Sequence, residues 1–136
     1  MRAVIDTNCL LASIPSQSSH YWLYKAFKDL KFEWLISNEV LTEYNELLSS
    51  YYSTQTAELM LNLLSVAQNV IYTEAYFKWN LITNDPDDNK FVDLAIAGNA
   101  DYIVTNDKHF DVLKGLDFPE LNVVSLNQFR EIILGN

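Results

Sequence analysis

Basic residues are scarce in this chain. Nine Lys and Arg stand against 18 Asp and Glu, a formal charge of −9 over 136 residues. Phosphate contacts come from Lys and Arg, so this balance argues against a protein that holds nucleic acid by charge alone. Divalent ions held by several carboxylates would partly offset the objection, because they then dominate the local field. Cysteine is nearly absent too: Cys9 stands alone, which excludes an intramolecular disulfide and points to a reducing compartment. Only three glycines occur, none in a GxGxxG or GxxxxGK[ST] pattern, so dinucleotide and P-loop readings are weak. The two histidines, His20 and His109, read as surface residues. Neither supports a Ser–His–Asp or Cys–His pair, and Cys9 is most simply a small buried hydrophobe. No apolar run approaches the roughly 20 residues that span a bilayer, and the N-terminus shows no signal-peptide pattern. A cytoplasmic protein with no membrane association is the expectation.

What is present suffices for one core: 49% of residues are hydrophobic, which fits a single domain over 1–136. Arg2 to Ile5 reads as a β-branched strand. A helix follows from Leu10 to Ile14, then a polar loop in which Ser18 or Ser19 is placed to cap the next helix. In that helix Trp22, Leu23, Ala26, Phe27 and Leu30 recur at helical spacing. Phe32 to Ile36 is a second strand. Ser37 or Asn38 then caps a helix from Glu39 to about Ser50, and another fits Thr56 to Ala67. Val70 to Thr73 is a short strand candidate, Tyr76 to Ile82 is ambiguous, and Asn84 to Asp88 is a turn into a helix over Asn89 to Asn99. Strands at Tyr102 to Thr105 and Asn122 to Ser125, with a closing helix from Asn127 to Leu134, complete the pattern. Alternation of this kind argues for an α/β fold with parallel pairing through right-handed crossovers.

Four acidic residues sit beside small polar residues at the edges of apolar runs: Asp6, Glu43, Asp88 and Asp107. Asp6 and Asp107 directly follow strands, and residues past the carboxyl ends of a parallel sheet line its ligand crevice. Carboxylates gathered there repel one another unless a cation intervenes, and hard oxygen donors suit Mg²⁺ or Mn²⁺. Each also has an ordinary structural reading. Asp6 or Asn8 could cap the first helix, Glu39, Glu43 and Glu46 could be a solvated face, and the 85–89 run combines turn and cap residues. Asp93 lies five residues beyond Asp88, some 140° around a helix, so the two share a site only if the helix entry is bent. Thr105-Asn106-Asp107 repeats at a second strand end the pattern of Asp6-Thr7-Asn8. Tyr51 and Tyr52 are the aromatics placed for the surface.

Together these pieces resemble the PIN-domain family, in particular its toxins of toxin–antitoxin systems. The resemblance runs through Val4-Ile5-Asp6-Thr7-Asn8, Ser37 to Glu43, Asp85 to Phe91, Ala95 to Asp107 and Val123 to Phe129, nearly the whole chain. Where the family usually has Gly before the last Asp, this chain has Asn106, a residue that also tolerates left-handed geometry. His109 stands where relatives often carry an acid. The resemblance implies a three-layer α/β/α sandwich with a central parallel sheet of four or five strands, and a Mg²⁺- or Mn²⁺-dependent ribonuclease site. Its acidic set falls on Asp6, Glu43, Asp88 and Asp107, with Asp93 as a further metal candidate. Thr7, Asn8, Thr105, Asn106 and Asp85 are supporting, Asp85 competing with Asp88 to face the metal.

The expected chemistry is hydrolysis of RNA phosphodiester bonds, with Lys90 and Lys108 nearest the scissile phosphate. An antitoxin partner and a homodimer follow from the resemblance. Two alternatives stand beside it. One is a non-catalytic PIN-like binding module, which the acidic balance favours. The other is an aspartyl-phosphate phosphatase or phospho-acceptor domain, whose usual second carboxylate would fall on Asn8.

Overall fold

The structure is a computed structural model and describes residues 1–135. Five strands, β1 (Arg2–Ile5), β2 (Glu33–Ile36), β3 (Val70–Tyr72), β4 (Tyr102–Val104) and β5 (Val123–Val124), form one all-parallel sheet in the order β3-β2-β1-β4-β5. Six α-helices flank it in an α/β/α sandwich: α1 (Thr7–Ser13), α2 (Tyr21–Lys28), α3 (Asn38–Tyr51), α4 (Thr54–Val66), α5 (Asn89–Ala97) and α6 (Leu126–Leu134). Short 3-10 turns occupy Pro86–Asp88 and Lys108–Leu113. No helix among the described residues is long and apolar enough to cross a membrane.

β1 occupies the centre, and Ala3, Val4 and Ile5 are wholly inaccessible, as expected of a parallel strand covered on both faces. An aromatic cluster of Phe27, Phe32, Trp34 and Phe129 fastens α2 and α6 over it, with Phe27 edge-on to Trp34 and Phe32 edge-on to Phe129. Ser37 caps α3 by accepting from the Val40 amide, and Ser125 forms a full capping box with Gln128 at α6; such caps stabilise a helix end by about 1 kcal/mol. The buried face of α3 is Val40, Tyr44 and Leu48. The Tyr44 hydroxyl donates to the Ile5 carbonyl at 2.5 Å and accepts from the Trp34 indole at 3.2 Å. One buried side chain thus ties α3 to two strands and fixes the depth at which the preceding residue, Glu43, sits.

Several boundaries differ from those expected. α1 starts at Thr7 rather than Leu10, because the Asp6 carbonyl already accepts from the amides of Cys9 and Leu10. Neither Ser18 nor Ser19 caps α2: Ser18 Oγ instead donates to the Ala12 carbonyl and accepts from the His20 amide. α5 ends at Ala97, where Asn99 turns into left-handed geometry at φ 53°. The ambiguous stretch from Tyr76 to Ile82 has no regular structure and is clasped to α5. Both ends of the Asn89 amide bond the Ile82 backbone at 2.9 Å, and Asp93 accepts from the Trp79 amide at 3.1 Å. Tyr51 and Tyr52 are both exposed, and the Tyr52 hydroxyl donates to the Leu11 carbonyl at 2.5 Å.

Candidate active site

Strand register builds the first half of the site. β1 and β4 pair Ile5 with Val104, so the next residues on each strand, Asp6 and Thr105, emerge side by side at the carboxyl edge of the sheet. The Thr105 hydroxyl donates to Asp6 Oδ2 at 2.7 Å and accepts from the Asp107 amide at 3.0 Å. Asp6 stands at the N-cap of α1, yet its carboxylate makes no capping bond; it faces Thr105. Thr7, also buried, donates its hydroxyl to the Glu43 carboxylate, bringing the helix acid to the same edge. Asn8 is exposed, and Asn106 Oδ1 accepts from the Leu126 amide at 3.1 Å, joining the end of β4 to the start of α6.

The second half comes from the turn before α5. Asp88 makes no capping bond, and its Oδ2 is buried without any hydrogen-bond partner. Facing it is His109, whose amide is capped by Asp107 Oδ1 at 2.9 Å. Its Nδ1 lies 3.3 Å from Asp107 Oδ1, 3.6 Å from Asp88 Oδ2 and 3.7 Å from Asp85 Oδ2. Ligand atoms of Asp85, Asp88 and His109 all fall within 4.8 Å of one another. Asp93 is not part of this group. It is buried against the Trp79 amide, with Lys78 and Glu39 as its charged neighbours. Lys90 reaches Glu43 at 2.8 Å and Asp87 at 3.0 Å, whereas Lys108 is exposed and forms no ion pair among the described residues.

The electrostatics divide along the same line. Burial pushes the Asp6 carboxyl up from 3.8 to about 6, with Glu43 and Asp107 adding to the rise and the Thr105 bond opposing it. Burial also lifts Asp88 from 3.8 to about 7, reinforced by the charges of Asp85, Asp107 and Asp6. On the other side, burial works against the charge of Lys90, but its bonds to Glu43 and Asp87 outweigh this and hold its pKa above the ordinary value. Glu43 therefore has a resident counter-charge, and the Asp6–Asp88–Asp107 side lacks a permanent one. An orphaned buried carboxylate oxygen, an orphaned imidazole nitrogen and a surrounding set of oxygen donors fit a divalent cation.

Three residues at the site carry more than sequence reasoning assigned them. Tyr44 sets the depth of α3, Asn89 clasps the segment before the Asp88 turn, and His109 faces the carboxylates rather than solvent alone. Only His109 left a local trace, its two-residue spacing from Asp107, which permits the amide cap that folds the imidazole back over the strand end.

Comparison with known proteins places this arrangement. The family model of the PIN domain matches residues 2–109, a span holding every acidic residue described above. No curated protein matches the sequence. Among solved structures, the chain is similar to VapBC2 of Rickettsia felis, bound to a DNA fragment from its promoter, with a TM-score of 0.62 and 20% identity over 92% of this chain and 98% of that one. It is also similar to VapC20 of Mycobacterium tuberculosis, a toxin that cleaves the sarcin–ricin loop, with a TM-score of 0.60 and 13% identity over 85% and 97%. The PIN domain of RRP44 from T. brucei follows at 0.53 and 15%, over 93% of this chain and 77% of that one. At such identities the structural likeness speaks for the fold, and the family model speaks for membership: the chain belongs to the PIN-domain family.

Proposed function

We propose that this protein is a divalent-metal-dependent endoribonuclease and the toxin of a toxin–antitoxin pair. The observation that carries the reading is the buried, unpartnered Asp88 Oδ2, set among Asp85, Asp107 and His109 and close enough to Asp6 for the charges to interact. A structural carboxylate would have a donor there; a ligand awaiting a cation would not. Asp6, Asp88 and Asp107 would hold Mg²⁺ or Mn²⁺ directly, and Glu43 would complete the shell directly or through water. A bound ion would supply a more acidic water, orientation of the scissile phosphate and stabilisation of the leaving oxygen.

The protein's own residues prepare that chemistry. The Thr105 hydroxyl orients Asp6 and, through the Asp107 amide, fixes the second strand end. Thr7 and Lys90 hold the two Glu43 carboxylate oxygens from different elements. Burial and the neighbouring carboxylates lift Asp88 to about 7, and a cation arriving beside it would favour its ionised form. RNA is the substrate class that the family resemblance implies, and VapC20, of similar fold, cleaves the sarcin–ricin loop. With so few basic residues, RNA would be held largely through the cation. The antitoxin would close the site by inserting Arg or Lys among the carboxylates, a charge-assisted contact that takes the cation's place. A homodimer is the expected assembly.

The test is cleavage of a panel of structured RNAs with Mg²⁺ or Mn²⁺, with EDTA, and by the Asp6→Asn variant. Cleavage by the wild type that chelation and the substitution each abolish is the expected result. Cleavage that survives both removes the metal from the reaction.

A further inference from the structure

We propose that His109 is a nitrogen ligand of the metal site, biasing it away from Mg²⁺ and toward transition-metal ions. This rests on the metal-dependent reading above and adds to it a residue that the acidic set alone does not contain.

The geometry argues against the two ordinary roles of such a histidine. The His109 ring is partly exposed, at 44%, yet the nitrogen that a surface imidazole would offer to water on this side, Nδ1, is buried and has no hydrogen-bond partner. An imidazolium serving as a fixed counter-ion would form a charge-assisted bond, about 2.7–2.9 Å from nitrogen to oxygen. The three carboxylate oxygens around Nδ1 instead stand at 3.3, 3.6 and 3.7 Å, all beyond that length, and one N–H cannot point at three acceptors. Donors about 2.1 Å from a metal lie roughly 3.0 Å apart at right angles and roughly 3.4 Å apart at the tetrahedral angle; the Asp107 oxygen at 3.3 Å falls in that range, and the Asp88 and Asp85 oxygens, at 3.6 and 3.7 Å, need only a few tenths of an ångström of closure to join it. The ring is held in place by its own backbone, since Asp107 Oδ1 accepts from the His109 amide and locks the turn that aims Nδ1 back at Asp88.

The chemistry of the donor set then decides the preference. Mg²⁺ takes oxygen donors and gains little from imidazole, whereas transition ions bind imidazole well. Replacing one carboxylate by a neutral nitrogen also lowers the negative charge that favours a hard ion. The acidic set with His109 added should therefore discriminate, and one with an acid in place of His109 should not.

Mn²⁺ serves as both probe and ligand. In Mn²⁺-loaded protein, pulsed electron paramagnetic resonance should show nitrogen coupling, retained in His20→Gln, which removes the other imidazole, and lost in His109→Asp. Thermal-shift titrations should give a Mn²⁺-over-Mg²⁺ affinity ratio at least tenfold larger for the wild type than for His109→Asp. Mn²⁺ bound without nitrogen coupling, or an affinity ratio unchanged by the substitution, overturns this proposal and leaves metal dependence standing. Absence of any metal-linked stabilisation overturns both. If His109→Asp fails to fold, the wild-type spectrum and its His20→Gln control decide the question alone.

Discussion

Replacing Asp88 by Asn should stabilise the metal-free protein, and the gain should depend on pH. Burial and the charges of Asp85, Asp107 and Asp6 raise the Asp88 carboxyl from 3.8 to about 7. Because the folded value lies above the unfolded one, ionised Asp88 opposes folding: stability is fullest below about 4 and is lost as pH rises through 7. The full shift corresponds to about 4 kcal/mol, and relaxation of neighbouring carboxylates with partial water entry would roughly halve it, to about 2 kcal/mol at pH 8. For a chain of this length that is about 4–8 °C in Tm. Asn keeps the shape and removes the charge, so the variant should melt that much higher than wild type at pH 8 in EDTA. By pH 5 wild-type Asp88 is protonated in the folded chain, and the advantage should fall below half. Thermal unfolding followed by circular dichroism at both pH values decides it. A variant equally or less stable than wild type at pH 8 would show that Asp88 is satisfied in the metal-free protein, and the argument for a cation there would fail.

Three further outcomes test the same geometry. Tyr44→Phe strips buried Trp34 and Ile5 groups of their shared partner and should cost about 2 kcal/mol in urea denaturation; a loss below about 0.5 kcal/mol would detach Tyr44 from the positioning of Glu43. Thr105→Val removes the bond that holds the Asp6 carboxyl down, so the pH midpoint of Mn²⁺-linked stabilisation should move upward, and an unmoved midpoint refutes the coupling. Lys90→Ala should weaken RNA binding while leaving Mn²⁺ affinity intact or slightly raised, and the wild type should show a log–log salt slope worth only about two or three phosphates. Tight metal-free binding with a steep slope would reveal a basic surface these contacts do not explain.

Much of the scaffold was legible because it is written locally. Val4-Ile5 and Ile103-Val104 are β-branched runs, Ser37 is a cap at the start of its helix, and alternation of strands with helices implies parallel pairing. Asp6 and Asp107 could be placed at strand ends for the same reason. What escaped was set by contacts between distant residues. The Thr105–Asp6 bond joins positions 99 apart, and it exists only because register sets Ile5 against Val104. The Lys90–Glu43 pair spans 47 residues, and no periodicity within α3 or α5 signals it. The 76–82 segment lacks any period, and its conformation is dictated by the side chains of Asn89 and Asp93. Asp93 accordingly read as a metal candidate, because a carboxylate near other carboxylates looks the same in sequence whether it faces an ion or a backbone amide.

The distribution of charge within the site would let so acidic a chain accommodate a phosphate. Lys90 lies against Glu43 and Asp87, so one flank of the cleft already has its cation and has little further attraction for another. Asp85, Asp88 and Asp107 have only His109 as a basic neighbour, Asp6 is bonded to the neutral Thr105 hydroxyl, and Asp6 and Asp88 have carboxyls raised by burial and mutual repulsion. The unmet negative charge is thus confined to the opposite flank, at the carboxyl edge of β1 and β4 where the crevice opens. A divalent ion entering there would relieve the repulsion and reverse the local field at one point, while the net charge of −9 would continue to repel nucleic acid elsewhere. Affinity for RNA and competence to cut it would then depend on the same bound cation, so that removing the ion should abolish both.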